Sequence, residues 1–250
     1  MPKISIITVC FNAEKYIEQT INSVIDQKNC DIEYIVIDGA STDKTLSIIK
    51  RYDPVITRWI SEPDKGIADA MNKAVRLATG DYLLFLHADD YLVDLDIMSN
   101  ALCSMSSDAD IHAFNVIYKT KNGDVKKSTR PFGIRTYFKT PVMHQGAFCK
   151  KELFEKIGGF DESLEIAMDY DFFYKAHQIG AVMQTHNVEL SVMRDTGISS
   201  RQDWPTLKQR FAEEKRVHFA NNKSAFMAAI YTVYWALYLP YRKIRLLIKY

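Results

Sequence analysis

Side chains able to bind a cation, take up a proton or accept hydrogen bonds recur early in the chain, each set placed just after an apolar run. Asn12 and Glu14 follow Ile4–Cys10, and Asp38 closes Ile32–Asp38. Glu62 and Asp64 follow Ile56–Ser61, and Asp89 and Asp90 follow Tyr82–Leu86. Carboxylates are acceptor-only groups suited to cations, N–H donors and proton abstraction. A hydrophobic core alone does not call for acids at all of these places, so a ligand is expected there.

The elements that position them follow from periodicity. The apolar runs are short and rich in β-branched and aromatic residues, as buried strands are. Helical spacing fills the gaps: Ala13–Gln27 with Asn12 as cap, a segment capped by Ser41 or Thr42 that runs to about Tyr52, and Ile67–Ala78. Such alternation predicts an α/β fold, Rossmann-like, with a mixed, mostly parallel sheet flanked by helices. Ligands of these sheets gather beyond the carboxyl ends of the strands. Farther on, helices are expected over Ile97–Ser106, Lys151–Lys156, Met168–Gln178 and Trp204–Asn221. A strand is expected over Ile111–Thr120, with a turn at Asn122-Gly123, and one or two more within Val182–Asp195.

The 250 residues suffice for one large domain, and the composition, 47% apolar and 25% charged, is that of a folded globular chain. A net charge of +1 argues against nucleic acid as partner. The charge is uneven: Arg201–Tyr250 holds ten Lys/Arg against three Asp/Glu. Cys10, Cys30, Cys103 and Cys149 have no metal-ligand spacing and read as thiols of a reduced, cytoplasmic protein. Ile4–Phe11 reads as a first strand rather than a signal sequence. No Gly-x-Gly-x-x-Gly follows it and no phosphate-binding Gly-x-x-x-x-Gly-Lys-Ser/Thr occurs, which disfavours a dehydrogenase or a P-loop enzyme.

Five segments taken together, SIITVCFNAEKYI, IVIDGASTDKT, SEPDKGIADAMNKAVRLATGDYLLFLHADD, HQGAFCKKELFEKIGGFDESLEIAMDYDFF and DTGISS, resemble the inverting family 2 glycosyltransferases of the GT-A fold. The likeness runs over roughly residues 3–200 and is to the subset that builds bacterial cell-surface polysaccharides. It implies a catalytic domain at 1–200, a nucleotide-sugar donor, UDP-linked in most relatives, a Mn²⁺ or Mg²⁺ ion, and one catalytic base.

Carried onto this chain, the resemblance assigns Thr8, Phe11, Asn12 and Glu14 to the nucleotide pocket and Asp38 to the N–H edge of the base. Ser41 and Asp43 read instead as residues ordering the loop. Asp64 and Lys65 fall in the segment that closes over base and diphosphate, and Asp69 and Asn72 on one side of the helix after it. His87, Ala88 and Asp89 match the donor-binding turn, with Asp89 and secondarily Asp90 as metal ligands. One or two carboxylates suffice there, because substrate phosphates complete the shell of such an ion. The family often has Asp or Asn where this chain has His87. Asp169 matches the base; Asp171, about 200° around the same helix, cannot share its pocket. His144 and Gln145 are expected near donor or acceptor sugar, and Arg194, Thr196, Gly197 and Ser199 near the diphosphate.

The segment 201–250 reads as a helical extension. Ser224–Tyr241 carries no charged residue, is rich in Tyr and Trp, and runs into Arg242-Lys243-Ile244-Arg245. That pattern predicts a helix lying on the inner face of the plasma membrane, where a lipid-linked glycan acceptor would reside. A core-packing or homodimer-forming helix is the alternative. For the whole chain, the competing function is a catalytically silent nucleotide-sugar binder or scaffold.

Overall fold

The computed structural model describes residues 2–197 and 200–248. Strand β1 (Ile4–Cys10) lies between β2 (Ile32–Asp38) and β4 (Tyr82–Phe85), and β3 (Arg58–Ser61) borders β2, all in parallel. Helices α1 (Ile17–Ile25), α2 (Thr45–Arg51) and α3 (Ile67–Leu77) connect them. Every residue of β1 is buried, as it must be when helices cover both faces of a sheet. Ile7 and Val9 pack with Met71 and Ala74 of α3, whereas Ile4 and Ile6 pack with Ile17 and Ile21 of α1.

Beyond β4 the sheet becomes mixed. It continues antiparallel through β8 (Ala147–Lys150) to β6 (Ile111–Thr120), then parallel to β9 (Met183–Arg194), with β5 (Tyr91–Leu92) on the far edge. Strand β7 (Gly123–Lys127) forms a hairpin with β6 at the expected Asn122-Gly123 turn. The expected Val182–Asp195 region is a single strand whose register against β6 is broken around Asn115. Helices α4 (Ile97–Ser104), α5 (Lys151–Ile157) and α6 (Met168–Gln178) complete this half.

The expected helix caps require correction. Helix α1 begins at Ile17, not Ala13, because Asn12 adopts a left-handed φ of 49° and its Oδ1 accepts from the Thr42 amide. Helix α2 begins at Thr45, where Asp43 accepts from the Thr45 amide, and neither Ser41 nor Thr42 caps it. Asn12, Ser41 and Asp43 instead knit two loops together at the carboxyl edge of the sheet.

Helix α7 (Trp204–Ala220) starts at Asp203, whose carboxylate accepts from the Thr206 amide, and is followed by α8 (Ala225–Ile248). Tyr231 and Trp235 of α8 are buried against Leu207 and Phe211 of α7, while Val217 joins the main core. Phe226, Val233, Leu237, Ile244 and Ile248 of α8 remain exposed. Among the described residues no helix is long and apolar enough to cross a membrane.

Candidate active site

In-register pairing lines up Cys10, Asp38 and Ser61 at the ends of β1, β2 and β3. Beside them opens a cavity of about 380 Å³, walled by the segment after β1, the His87–Asp90 turn, the His144-Gln145 turn, the start of α6 and the end of β9. Phe11 and Asn12 stand on one side of it, with the Phe11 ring 62% exposed. An apolar face held in water this way suits stacking against a planar ring.

The His87–Asp90 turn divides its acids between two tasks. Asp89 reaches the cavity, and among the described residues Thr196 is the one side chain that bonds its carboxylate. Asp90 is 1% exposed and turns inward, accepting from Gln145 Nε2 at 3.0 Å and from the Arg194 amide at 3.2 Å. Burial, and then the neighbouring Asp89 charge, push the Asp90 carboxyl well above its ordinary pKa. Asp90 therefore braces the turn at the border of the cavity, one oxygen accepting from Gln145 and the other from the Arg194 amide.

Arg194 lines the cavity, yet its guanidinium is already engaged. It donates to the Asp89 carbonyl and to Gln19, and lies 4.6 Å and 4.7 Å from the ring centres of Tyr16 and Tyr91. It holds the His87–Asp90 turn through the Asp89 carbonyl. Thr196 and Gly197 also border the cavity, whereas Ser199 lies outside the described residues.

Opposite Asp89 stands Asp169, in the first turn of α6. Its Oδ1 accepts from the Tyr170 amide at 2.6 Å, and its Oδ2 lies 3.4 Å from His144 Nδ1. His144 in turn packs edge-on against His87, ring centres 4.6 Å apart. Burial, and then the neighbouring His144, hold His87 well below the usual imidazole pKa, so it stays neutral. The Nε2 atoms of both rings and the Gln145 Oε1 are buried without a partner among the described residues. Unmet polar atoms of this kind along a cavity wall await a polar ligand. Gly146 lets this turn press onto β6, since a Cβ there would come within 2.5 Å of the Phe114 carbonyl oxygen. Asp171 faces away and pairs with Lys175 at 2.7 Å and Asn221 at 2.7 Å.

Several sequence-selected residues do not reach the cavity. Asp38 is fully buried; its carboxylate accepts from the Ser41 amide and hydroxyl and from the Ser61 hydroxyl at 2.6 Å. These contacts support the Gly39–Asp43 loop. Thr8 is buried against the Tyr34 hydroxyl, and Glu14 accepts from the Lys44 amide. Asp64 accepts from the Gly66 amide and lies over Gly39 beside Phe11, while Lys65 is exposed and absent from the cavity wall. Asp69 receives the Lys65 amide and Lys73, and Asn72 clamps Phe160 through its amide and carbonyl. These residues shape the loops beside the cavity. Of the acids assigned to base edge, metal and proton transfer, Asp89 and Asp169 line this cavity and Asp38 does not.

A second cavity, of about 480 Å³, opens on the other side of Asp169 and shares His144, Gln145, Ile166 and Met193 with the first. Its outer wall comes from β7, α7 and α8. One side chain behind these walls escaped the sequence reading altogether. Glu213 on α7 is 8% exposed and accepts from the Ile166 and Ala167 amides at 2.8 and 2.9 Å, fixing the segment that starts α6. Nothing in a long charged helix marks one glutamate among its neighbours as buried.

Residues 5–158 match the model of the family described as Glycosyl transferase family 2. This chain belongs to glycosyl transferase family 2. An uncharacterized glycosyltransferase of Mycobacterium tuberculosis is 34% identical over 181 residues, covering 70% of this chain and 69% of that protein. The PGL/p-HBAD biosynthesis glycosyltransferase of Mycobacterium bovis is 32% identical over 177 residues, covering 68% of each chain. Among solved structures, S. aureus TarS in complex with UDP has a TM-score of 0.65 at 20% identity, covering 86% of this chain and 69% of that one. The mannosyltransferase PcManGT from Pyrobaculum calidifontis, in complex with GDP-Man and Mn²⁺, has a TM-score of 0.65 at 22% identity, covering 97% of this chain and 82% of that one. These likenesses establish for this family 2 member the GT-A fold, a mixed sheet flanked by helices.

The donor set of this glycosyltransferase fits a divalent cation of the kind that family implies. Among the described residues no three His, Cys, Asp or Glu side chains cluster as a ready-made cage. Asp89 nonetheless presents a carboxylate to the cavity beside the unpartnered nitrogen of His87. A hard cation with few protein ligands is completed by phosphate oxygens and water.

Proposed function

We propose that this glycosyltransferase moves a sugar, a hexose or an N-acetylhexosamine, from a nucleotide diphosphate sugar to a hydroxyl acceptor, with inversion at the anomeric carbon. UDP is the favoured nucleotide, in keeping with the UDP and UDP-GlcNAc complexes of TarS. The observation that carries the reading is the placement of Asp89 and Asp169 on walls of one cavity, with Asp169 also lining a second.

In this reading the donor lies in the first cavity, its base against Phe11 and its diphosphate toward Asp89. The acceptor enters through the second. Its hydroxyl oxygen bonds to the anomeric carbon as the bond from that carbon to the diphosphate oxygen breaks; the bonding pair leaves with the diphosphate, and the proton passes to Asp169. His144 keeps the carboxylate aimed at the cavities. Asp89 would hold Mn²⁺ or Mg²⁺, which when bound stabilises charge on the leaving diphosphate. In this reading Asp169 acts as the base of a single displacement, which inverts the anomeric carbon.

The named relatives act in PGL/p-HBAD biosynthesis and, at 29% identity over 190 residues, as the chondroitin synthase of Escherichia coli. They support a place in surface polysaccharide or glycolipid assembly, with a glycan or lipid-linked glycan as acceptor. The exposed apolar side chains of α8 and the cations Arg242, Lys243 and Arg245 in its last turns support peripheral attachment to the cytoplasmic face of the membrane. Residues 1–200 form the catalytic part in this reading, and 201–250 the extension that braces it.

The deciding assay is release of nucleoside diphosphate from a panel of UDP-, GDP- and dTDP-sugars with and without Mn²⁺. Metal-dependent release is expected from a UDP-sugar, and the anomeric coupling constant of the product should report inversion. Tight donor binding with no turnover on any acceptor would favour the silent binder instead.

A further inference from the structure

The second cavity is charged in a way that the donor does not explain. Lys127 of the β7 hairpin, Lys139, Arg210 of α7 and Arg242 of α8 line it, and none of the four lines the first cavity. Two acids accompany them, Asp169 and Glu214. Glu214 is committed to Arg210, with Nε 2.8 Å from Oε1. Among the described residues no carboxylate pairs with Lys127, Lys139 or Arg242, so three cations face one acid. Cations gathered along one concave wall repel one another unless an anion joins them.

Each of the three is held in place by an aromatic side chain rather than by an acid, the Lys127 ammonium lying 5.1 Å from the Tyr118 ring centre. Arg242 donates to the Tyr238 hydroxyl at 2.9 Å and lies 5.1 Å from the Phe211 ring centre. The Lys139 ammonium lies 5.7 Å from the centre of the same Tyr238 ring. Such contacts orient a cation without neutralising it. The buried hydroxyl of Ser200, without a partner among the described residues, borders the same space.

We propose that this cavity takes an acceptor carrying a phosphate group close to the hydroxyl that receives the sugar, bound by Lys127, Lys139 and Arg242. The inference rests on the transferase reading above and adds the chemical class of its acceptor. A charge-assisted contact to phosphate would anchor the acceptor while its hydroxyl meets Asp169. Two sources share this chemistry, a lipid phosphate bearing the glycan and a free sugar phosphate. The exposed Leu237, Ile244 and Ile248 on the helix that contributes Arg242 favour the lipid-borne one.

The test is titration of the protein, preloaded with UDP and excess Mn²⁺, with geranyl phosphate, glucose 1-phosphate and the neutral controls geraniol and methyl glucoside. Both neutral probes should bind at least tenfold more weakly than their phosphates. The double substitution Lys139→Ala with Arg242→Ala should weaken phosphate binding by tenfold or more at unchanged UDP affinity. Should that protein melt early, Lys127→Ala with Lys139→Ala, both at exposed positions, provides the same comparison. Preference for geranyl phosphate supports the lipid-borne source, and equal binding of both phosphates supports recognition of the group alone. Indifference of UDP-loaded protein to every phosphate, or equal binding by wild type and variants, overturns the proposal. Failure to bind any nucleotide would instead overturn the transferase reading on which it rests.

Discussion

His144 Nδ1 lies 3.4 Å from Asp169 Oδ2, although the two residues belong to a short turn before β8 and to the first turn of α6. The contact places a carboxylate at the seam of two cavities and leaves it one oxygen free of backbone. A sugar hydroxyl is a very weak acid, so an acceptor for its proton must stand within hydrogen-bond reach as the new bond forms.

Asp169→Asn is expected to lower kcat more than a hundredfold while donor affinity stays near wild type, because the amide keeps shape and loses basicity. Asp171→Asn should leave turnover intact and lower the melting temperature, since Asp171 serves Lys175 and Asn221. Steady-state kinetics on both proteins, with UDP binding measured separately, check the pair. Ordinary turnover by the first variant would remove Asp169 from the chemistry.

Asp89 and Asp90 should behave as opposites despite being neighbours. Asp89→Ala is expected to weaken both Mn²⁺ and donor binding and to reduce the rate more than a hundredfold. Asp90→Asn should keep metal affinity and retain activity within tenfold. Burial and the Asp89 charge raise the Asp90 pKa, and Gln145 Oε1, unpartnered among the described residues, can turn to accept from an amide at that position. Titration of Mn²⁺ in the presence of UDP separates the two, and equal losses would mean that both acids hold the ion.

The contrast between these two acids also marks what the sequence discloses. Strand ends, the order of acids and the helix with Asp169 follow from apolar periodicity and turn residues, which are local signals. The two-residue β5 and four-residue β8 are too short to show a period, and their pairing is decided by distant partners. Asp38 and Asp89 look alike in sequence, each an acid after a buried run. Ser41 and Ser61 converge on the first and leave it no face toward the cavity, whereas the second emerges on a turn held back by Arg194. That difference depends on loop paths, which carry no periodic signature.

Glu213 is expected to act as a positioning residue for Asp169. Its carboxylate satisfies two amides at the entry to α6, and each buried N–H left unpaired costs about 1–3 kcal/mol. Glu213→Ala should therefore loosen the turn that aims Asp169 and lower kcat roughly tenfold, in line with the sensitivity of catalysis to small misplacements. Donor KM should be unchanged, because Glu213 does not line the donor cavity. Glu213→Gln, which retains an acceptor oxygen, should restore most of the rate. If both variants lost donor affinity and activity together, Glu213 would be serving the fold alone.

His218 gives the molecule a defined acid sensitivity. Trp235 Nε1 donates to its Nδ1 at 3.0 Å, so the proton resides on Nε2, which faces the Tyr170 hydroxyl at 2.8 Å. Burial lowers its pKa to about 4. In the unfolded chain the imidazole takes its proton near the ordinary value of about 6.5. Between these values the unfolded state binds more protons, so stability declines as pH falls through the window, by roughly 1.4 kcal/mol per unit at most. Urea unfolding of wild type and His218→Gln at pH 7.5, 6.5, 5.5 and 4.5 isolates this contribution, because Asp90 and the other histidines act alike in both proteins. The wild type should be the more stable at pH 7.5, and its advantage should shrink steadily toward pH 4.5. Parallel stability curves would mean that Trp235 and Tyr170 do not hold this imidazole in its neutral form.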